Sequence, residues 1–287
     1  ITVGVIKDGK ADWTVYGKDG AELEKARHTY EIGSLTKTIT ASMTMKLVGE
    51  GKMRLDAPIS DYLELPAREH YPTIRELLTH TSGYSAYYFE GAMIGNFFGG
   101  KNSFYTIGDS AVYNTLKNTA ISAEKHRFDY SNFGYAALGL ILEKVTETEF
   151  TTLCEDYMRD TLGFENSRVS DGKGDLGRLW DWQAGDTYMS AGAVLSDIED
   201  MLKYARAQLD GFEENHESLA KVDTVNENYR AMGINMDEIG AAWLIDNENG
   251  FVWHNGGTGD YNSYLGFCEK TGTAVVVLSN LAPSYKI

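Results

Sequence analysis

A serine and a lysine three residues apart, Ser34 and Lys37, open the first long helical pattern of the sequence. Residues at this spacing share a helix face, so the lysine amine can reach the serine hydroxyl. Gly33 permits a tight turn before the pair, and no charged residue follows Lys37 before Lys46. An amine on such a buried helix is partly desolvated, which lowers its pKa and lets it accept a proton. The pair therefore predicts a nucleophilic serine with a lysine base; the alternative is a helix start with Ser34 as its capping residue.

The same Ser-x-x-Lys spacing occurs three more times. The further pairs are Ser122 and Lys125, Ser170 and Lys173, and Ser218 and Lys221. All three lie in polar segments, where a lysine amine is hydrated and protonated and does not serve as a base. We interpret them as surface residues, which leaves Ser34 as the candidate nucleophile.

A second candidate group is Tyr130-Ser131-Asn132. No other of the 18 tyrosines is followed two residues later by asparagine. A tyrosine hydroxyl can relay a proton between a nucleophile and a leaving group, and an asparagine amide can hold a lysine and a substrate carbonyl. The alternative is a turn in which Asn132 caps the next helix, and the two interpretations are compatible.

A third candidate group is the run from His254 to Gly257, the only His-x-Gly pattern in the sequence, at the end of a predicted strand. Glycines at this place let a substrate backbone lie against the strand edge, and a free edge amide can donate to an oxyanion. Taken alone, the run is equally typical of a hairpin loop.

Composition limits the partners of the chain. Its 287 residues, 43% of them apolar, are enough for the core of one or two lobes. The net charge of −16 opposes binding to nucleic acid or to an anionic membrane. The longest wholly apolar runs, such as residues 274–278, are far shorter than the ~20 residues that cross a bilayer. No histidine or cysteine pair has metal-ligand spacing and no Gly-x-Ser-x-Gly turn is present, so we predict no metal, no cofactor and no Ser-His-Asp enzyme.

Periodicity predicts the elements that position these groups. An Asp8-Gly9 pair between apolar runs predicts an N-terminal hairpin. Helices are predicted over residues 34–51, 133–146, 150–161 and 196–209, the last capped by Ser196 together with Glu199. Strands are predicted over residues 239–246, 251–254, 261–268 and 273–278. Residues 84–100, rich in aromatic residues, predict a long loop, and residues 84–104 are the candidates for apolar contacts to a substrate; the alternative is local packing.

The three groups together resemble a known superfamily. Their order, Ser-x-x-Lys, Tyr-x-Asn and His-x-Gly, is similar to that of serine β-lactamases and penicillin-binding proteins. The similarity is greatest to the branch that holds class C β-lactamases, D-alanyl-D-alanine carboxypeptidases, D-aminopeptidases and esterases. It extends over nearly the whole chain, through residues 31–34, 55–59, 73–83, 130–135, 191–196, 254–259 and 275–280.

This resemblance implies a role for each position. Ser34 attacks a carbonyl, while Lys37 and Tyr130 share the work of general base and general acid. The backbone amides of Ser34 and Gly257 form the oxyanion hole. Asn132 orients Lys37 and the substrate amide. The implied substrate-binding positions are Asn132, His254, Gly256 and Gly257.

The resemblance also implies the architecture. It is an α/β fold with a mostly antiparallel sheet, formed by both chain ends and flanked by helices, joined to a mainly helical lobe. Residues 1–55 with 192–287 are predicted to form the α/β lobe and residues 56–191 the helical lobe, with the active site in the crevice between them. Members of the family usually begin and end with helices on the sheet, whereas this sequence opens in a strand. Either such helices, a leader or an anchor lie outside this sequence, or one sheet face is partly uncovered.

Two departures from the family pattern bear on function. Residues 125–129 stand where the family often has a Pro-Gly pair, which reshapes that wall of the site. His254 replaces a lysine and so removes a permanent positive charge for a substrate carboxylate. This favours a carboxypeptidase, aminopeptidase or esterase over an efficient β-lactamase. The expected substrates are D-amino-acid peptides, β-lactams or small esters.

The alternative function is that of a penicillin-binding sensor or binding module that keeps the fold but has little turnover, since a fold alone does not establish activity.

The resemblance implies an extracytoplasmic location: secreted, periplasmic or at the cell surface. The sequence does not predict an oligomeric state.

Overall fold

A computed structural model describes residues 1–282, so residues 283–287 of the predicted α/β lobe lie outside the described residues. Its strands are β1 (Thr2–Lys7), β2 (Lys10–Tyr16), β3 (Glu22–Leu23), β4 (Tyr30–Glu31), β5 (Arg168–Val169), β6 (Val194–Ser196), β7 (Ala220–Lys221), β8 (Glu238–Ile239), β9 (Leu244–Asp246), β10 (Phe251–Gly257), β11 (Asn262–Cys268) and β12 (Thr273–Ser279).

The α-helices of the same residues are α1 (Thr36–Gly49), α2 (Ile74–Leu78), α3 (Gly91–Phe98), α4 (Asp109–Asn118), α5 (Asn132–Thr146), α6 (Phe150–Asp160), α7 (Met189–Gly192), α8 (Ile198–Asp210), α9 (Glu213–His216) and α10 (Glu227–Ala231). Short 3-10 turns cover Gly33–Leu35, Ile59–Asp61 and Glu269–Thr271.

Both chain ends build one large antiparallel sheet, as predicted. Its strand order is β3-β2-β1-β12-β11-β10-β9-β8-β7. The N-terminal β1 pairs with β12, with Val3 opposite Val277, and both strands alternate buried and more exposed residues. This period of two gives the sheet one face for a core. The mostly antiparallel α/β fold is confirmed, while the lobe boundaries after residues 55 and 191 stay a prediction.

Helix α8 covers one face of the sheet at close range. A Cβ atom at Gly4 in β1 would lie 2.9 Å from Ile198 Cδ1, so the missing side chain lets the helix approach. The predicted cap of this helix is wrong by one residue, because Asp197 accepts from the Asp200 amide whereas Ser196 ends β6. A carboxylate at this position also suits the positive end of the helix dipole.

Helix α1 is buried on nearly every side and packs among the helices α5, α6, α7 and α9. Its threonine and serine hydroxyls therefore need internal partners. Thr38 donates to the Leu35 carbonyl one turn earlier, and Ser42 accepts from Tyr157. These bonds satisfy polar groups that water does not reach, and they fix the helix that carries Lys37.

Two predicted elements differ from the structure. Residues 84–100 are not a continuous loop, because α3 occupies Gly91–Phe98 and leaves Phe97 and Phe98 exposed. The strand predicted over residues 239–246 is interrupted between β8 and β9, where Ala242 has φ +69°. An L-residue in this left-handed conformation cannot continue a strand. A period-two pattern does not reveal such an interruption.

A second, three-stranded sheet has the order β4-β6-β5 and lies next to the start of α1. Tyr30 in β4 pairs with Ser196, and Arg168 in β5 pairs with Leu195. It ties the segment before Ser34 to β6, which follows α7. Within residues 1–282, no helix combines the length and the apolar character needed to span a membrane.

Candidate active site

Ser34 lies in the 3-10 turn immediately before α1, with its side chain partly exposed. The preceding Gly33 has φ +50°, a conformation that glycine adopts without strain. A Cβ atom at Gly33 would lie 2.7 Å from the Gly257 nitrogen, so the turn packs backbone against backbone on the end of β10. The tight turn predicted at Gly33 is present, and this close approach leaves no room for a side chain there.

Lys37 follows one helical turn later and is completely buried. Its Nζ donates to Ser34 Oγ at 3.0 Å and to the Ala191 carbonyl at 2.7 Å. Burial lowers the pKa of this amine well below its usual range, because the charged form loses its hydration. The Ala191 carbonyl, at the end of α7, is an acceptor that sequence patterns did not reveal.

Tyr130 faces the same hydroxyl from the helical side of the site. Burial raises its pKa, and a hydrogen-bonding interaction with the Ser34 side chain lowers it in part. The Lys37 amine lies 4.9 Å from the centre of the tyrosine ring. The structure therefore brings together the hydroxyl, the amine and the phenol that the sequence singled out.

His80 holds the segment that carries Tyr130. Its backbone carbonyl accepts from the Asp129 amide at 2.8 Å, and its Nδ1 accepts from the Ser131 amide at 3.0 Å. Its ring centre lies 4.4 Å from that of Tyr130. Burial lowers the pKa of His80, which keeps the ring neutral and Nδ1 able to accept. Sequence reasoning missed this residue, because its contacts are backbone atoms distant in sequence.

The end of β10 forms the opposite side of the site. A Cβ atom at Gly256 would lie 2.8 Å from the Ser34 nitrogen and would overlap the Ile32 carbonyl oxygen, so only glycine fits. His254 is buried and its Nδ1 makes a 2.6 Å hydrogen bond with the Asn255 carbonyl. Burial and the nearby Lys37 lower the pKa of His254 to about 3, so this side chain is neutral.

Asn132 begins α5 beside Tyr130 and is half-buried. It is not the helix cap, because Ser131 Oγ accepts from the Gly134 amide. Within residues 1–282, Asn132 also makes no hydrogen bond to Lys37, whose acceptors are Ser34 and Ala191. The role predicted for Asn132 toward a substrate amide stays a prediction.

Glu31 joins three segments around the Ser34 turn. Its carboxylate accepts from Thr258 Oγ1 at 2.5 Å and from the Trp180 amide at 2.6 Å. Thr258 directly follows Gly257, and Glu31 lies three residues before Ser34. Burial raises the pKa of the Glu31 carboxyl, and these two hydrogen bonds offset part of that shift. The Glu31 carboxylate thus links the segment before the Ser34 turn to the residue that follows β10, and it holds the turn against the strand.

A cleft of about 390 Å³ opens in front of Ser34 and Tyr130. One wall holds Phe128 and Tyr229, which belong to segments far apart in the sequence. The Thr224 hydroxyl donates to the Phe128 carbonyl, and Asn255 Nδ2 donates to the Tyr229 hydroxyl at 3.0 Å. We call residues 222–236, which carry α10 and Tyr229, the α10 segment.

The aromatic residues 84–104 contribute no side chain to this cleft among the described lining residues. Tyr84 and Tyr88 pack edge-on against Phe133 of α5, at 5.1 and 4.7 Å between ring centres. The first part of the segment is thus local packing. Its predicted role in substrate contact stays a prediction.

The three other Ser-x-x-Lys pairs have exposed lysines, as predicted, but the prediction of a surface residue is wrong for Ser170, which is buried. Within residues 1–282, no group of three or more histidine, cysteine, aspartate or glutamate side chains is arranged to hold a metal ion. The candidate site is therefore described by Ser34, Lys37 and Tyr130 with the edge of β10.

Comparison with known proteins identifies the family and the fold. A family model described as Beta-lactamase matches residues 1–286. Protein flp of Staphylococcus aureus (strain MW2) is 25% identical over 316 residues, which cover 98% of this chain and 59% of that protein. The chain thus spans about 59% of the length of this curated relative.

Two solved structures share the fold. The octameric penicillin-binding protein homologue from Pyrococcus abyssi is 25% identical, with a TM-score of 0.76 over 99% of this chain and 70% of that chain. The Beta-lactamase/D-alanine Carboxypeptidase from Yersinia pestis, complexed with citrate, has a TM-score of 0.80 at 17% identity, over 99% and 88% of the two chains. At this lower identity the likeness concerns the fold alone.

Proposed function

The chain belongs to the Beta-lactamase family, and we propose that it is a serine hydrolase that forms an acyl-enzyme on Ser34. The observation that carries this proposal is the 3.0 Å contact between the buried Lys37 amine and the Ser34 hydroxyl. A buried amine without a carboxylate partner is expensive to ionise, so it is available as a base at neutral pH. The hydroxyl itself remains open to the cleft.

Acylation begins with proton transfer from the Ser34 hydroxyl. Because burial favours the neutral amine, this hydroxyl can donate to the Lys37 lone pair while the amine donates to the Ala191 carbonyl. Ser34 Oγ then forms a bond to the substrate carbonyl carbon. The ammonium that results keeps Ala191 as a charge-assisted hydrogen-bond acceptor, which is stronger than a neutral one. The Ala191 carbonyl thus stabilises protonated Lys37 more than neutral Lys37.

The developing oxyanion is received by the backbone amides of Ser34 and Gly257. The close packing of the Ser34 turn on β10 holds these two donors in place before the substrate arrives. Preorganised donors of this kind are worth about 10²–10³ in rate each. Gly33 and Gly256 make that packing possible, since a side chain at either position would separate the two segments.

Tyr130 delivers a proton to the leaving group as the carbonyl–leaving-group bond breaks. Its raised pKa keeps the phenol protonated at neutral pH, ready to donate, and Lys37 can restore its proton. In the second half-reaction water gives a proton to the Lys37 amine as its oxygen bonds to the acyl carbon, and the bond from that carbon to Ser34 Oγ breaks as Lys37 returns the proton to Oγ. D-amino-acid peptides, β-lactams and small esters all contain a carbonyl that this sequence of steps can use.

Intact-mass spectrometry with a fluorescent penicillin and an activated ester tests the proposal. The parent is expected to gain one acyl mass or to hydrolyse the ester, and Ser34→Ala is expected to do neither. Ser218→Ala is a matched control, because Ser218 has the same spacing to Lys221 but both are exposed. Equal labelling or turnover in Ser34→Ala and the parent would overturn the proposal. A stable adduct without turnover of either substrate would indicate the sensor.

A further inference from the structure

The cleft in front of Ser34 has no charged side chain among the described residues that line it. Neither an arginine nor a lysine is present to pair with a substrate carboxylate, and no aspartate or glutamate is present to pair with a substrate amine. The one titratable lining residue that often carries a positive charge, His254, has its pKa lowered to about 3 and is neutral. The cleft is thus electrically neutral at physiological pH.

One wall of the cleft is apolar and belongs to a small hydrophobic cluster of its own. Phe128, Tyr229 and Met236 pack around Leu244 and line the cleft together with it. Only 7% of Leu244 is exposed, while the other three are partly exposed. This wall offers dispersion contacts and apolar area to a bound group rather than hydrogen bonds.

Each of the amide side chains on the cleft already uses one of its two polar ends within the protein. Asn226 Oδ1 caps α10 by accepting from Asn228 and Tyr229, and Asn255 Nδ2 donates to the Tyr229 hydroxyl. Asn262 Nδ2 donates to the Leu281 carbonyl. With one end of each amide engaged, these side chains offer an ionised group fewer partners than water does, and such a group needs strong compensating partners when it leaves water.

From these observations we propose that the substrate group held against this wall is uncharged and apolar. The preferred substrates are then neutral esters or amides with an alkyl or aryl group next to the scissile carbonyl. Peptides with a free carboxylate or a free amine at that place are disfavoured. This inference rests on the proposed function and adds the substrate class to it. Tyr229 and Met236 are its specificity-determining residues.

A matched pair of esters tests the substrate class. The two are an aryl butyrate and the aryl hemisuccinate, which have the same leaving group and acyl chains of four carbons but differ in a terminal carboxylate. After subtraction of the uncatalysed rates, kcat/KM is expected to be at least about tenfold higher for the butyrate, since an unpaired buried charge is disfavoured. Lengthening the acyl chain from acetate to butyrate is expected to raise kcat/KM about fourfold for each methylene that is buried.

Met236→Lys places a cation on the wall and is expected to reduce or reverse the preference in kcat/KM for the butyrate over the hemisuccinate. Met236→Leu keeps the wall apolar and should retain it. Met232→Lys adds the same charge on the same segment, but Met232 is exposed and lies outside the cleft. It should behave like the parent, which separates a local charge effect from a change in net charge.

The outcomes distinguish the two proposals. If both esters are hydrolysed with similar kcat/KM, and hydrolysis is lost in Ser34→Ala, the substrate class is wrong although the serine hydrolase stands. A preference for the hemisuccinate in the parent overturns the substrate class in the same way. If neither ester, nor a penicillin, acylates the parent, the proposed function itself fails.

Discussion

The two sides of the cleft are built differently. On the side of α1, Lys37 is completely buried, and the Ser34 turn packs backbone against backbone on β10. On the other side, the α10 segment packs on a cluster with three buried residues, Ile239, Leu244 and Trp253. Two side-chain hydrogen bonds also hold the segment: Thr224 donates to the Phe128 carbonyl, and Asn255 donates to the Tyr229 hydroxyl.

This difference separates chemistry from selectivity. Groups that exchange protons need fixed distances, and burial in a packed core supplies them. A wall that contacts a variable substrate group needs apolar area and tolerates adjustment, since regions with few buried contacts open at low free energy. Substitutions on the α1 side should therefore change kcat, and substitutions in the α10 segment should change KM.

Lys37→Met is the strongest test of this comparison. The acylation rate is expected to fall by about 10²–10⁴, the usual contribution of a general base. Stability at pH 7 should fall by no more than about 1 kcal/mol, because the lost hydrogen bonds are offset by removal of an amine whose pKa is lowered by burial. The folded chain disfavours the protonated amine, so Lys37 opposes folding at every pH below about 10.5; the penalty grows as the pH falls toward the folded pKa and is constant below it.

Stopped-flow acylation and urea unfolding measure the two effects of Lys37→Met. Lys46→Met is the control, because Lys46 lies on the same helix but is exposed and salt-bridged to Glu50. It should acylate at the parent rate. Acylation by Lys37→Met within tenfold of the parent would remove Lys37 from the role of base.

His80→Phe should have the next largest effect. It keeps a ring beside Tyr130 but removes the acceptor for the Ser131 amide, so the phenol loses its position. A displacement of about 1 Å can lower a rate by ~10². We expect kcat to fall by about that factor with little change in KM. His80→Asn should recover part of the loss, since asparagine offers an acceptor and tolerates the φ of +56° found here.

Steady-state kinetics of both His80 variants with one ester decide this point. A merely structural role would lower the melting temperature and leave kcat of the folded protein unchanged. That result, or a failure of His80→Asn to exceed His80→Phe, would contradict a positioning role.

Tyr229→Phe should have the smallest effect. It removes the hydrogen bond from Asn255 and retains the apolar ring. The net value of such a bond, about 0.5–1.5 kcal/mol, corresponds to a two- to tenfold rise in KM with kcat unchanged. The same ester assay measures it. If Tyr229→Phe lowered kcat more than His80→Phe does, the α10 segment would contribute to catalysis, and the comparison between the two sides of the cleft would be wrong.

The sequence predicted the α/β fold, the helix that carries Lys37 and the meeting of Ser34, Lys37 and Tyr130. These features depend on local spacing, glycine placement and the order of motifs, which a sequence displays directly. The order of the three groups led to the family resemblance, which added the expected role of each residue and the two-lobe architecture, and the family match confirms that resemblance.

The supporting contacts were not predictable in the same way. The Ala191 carbonyl that accepts from Lys37 is a backbone atom, and every residue carries one. His80 and Glu31 act on amides and hydroxyls 49 or more residues away, so no spacing rule marks them. The cap of α8 was misassigned because Ser196 and Asp197 both satisfy capping rules, and only the end of β6 decides between them.

Within residues 1–282, the large sheet has nine strands, and its two edge strands, β3 and β7, are only two residues long each. Long unpaired strand margins act as templates for other chains, whereas very short ones with charged residues do not. Glu22 and Lys221 stand at these two places. These short edge strands with charged residues therefore disfavour the addition of a strand from a neighbouring molecule.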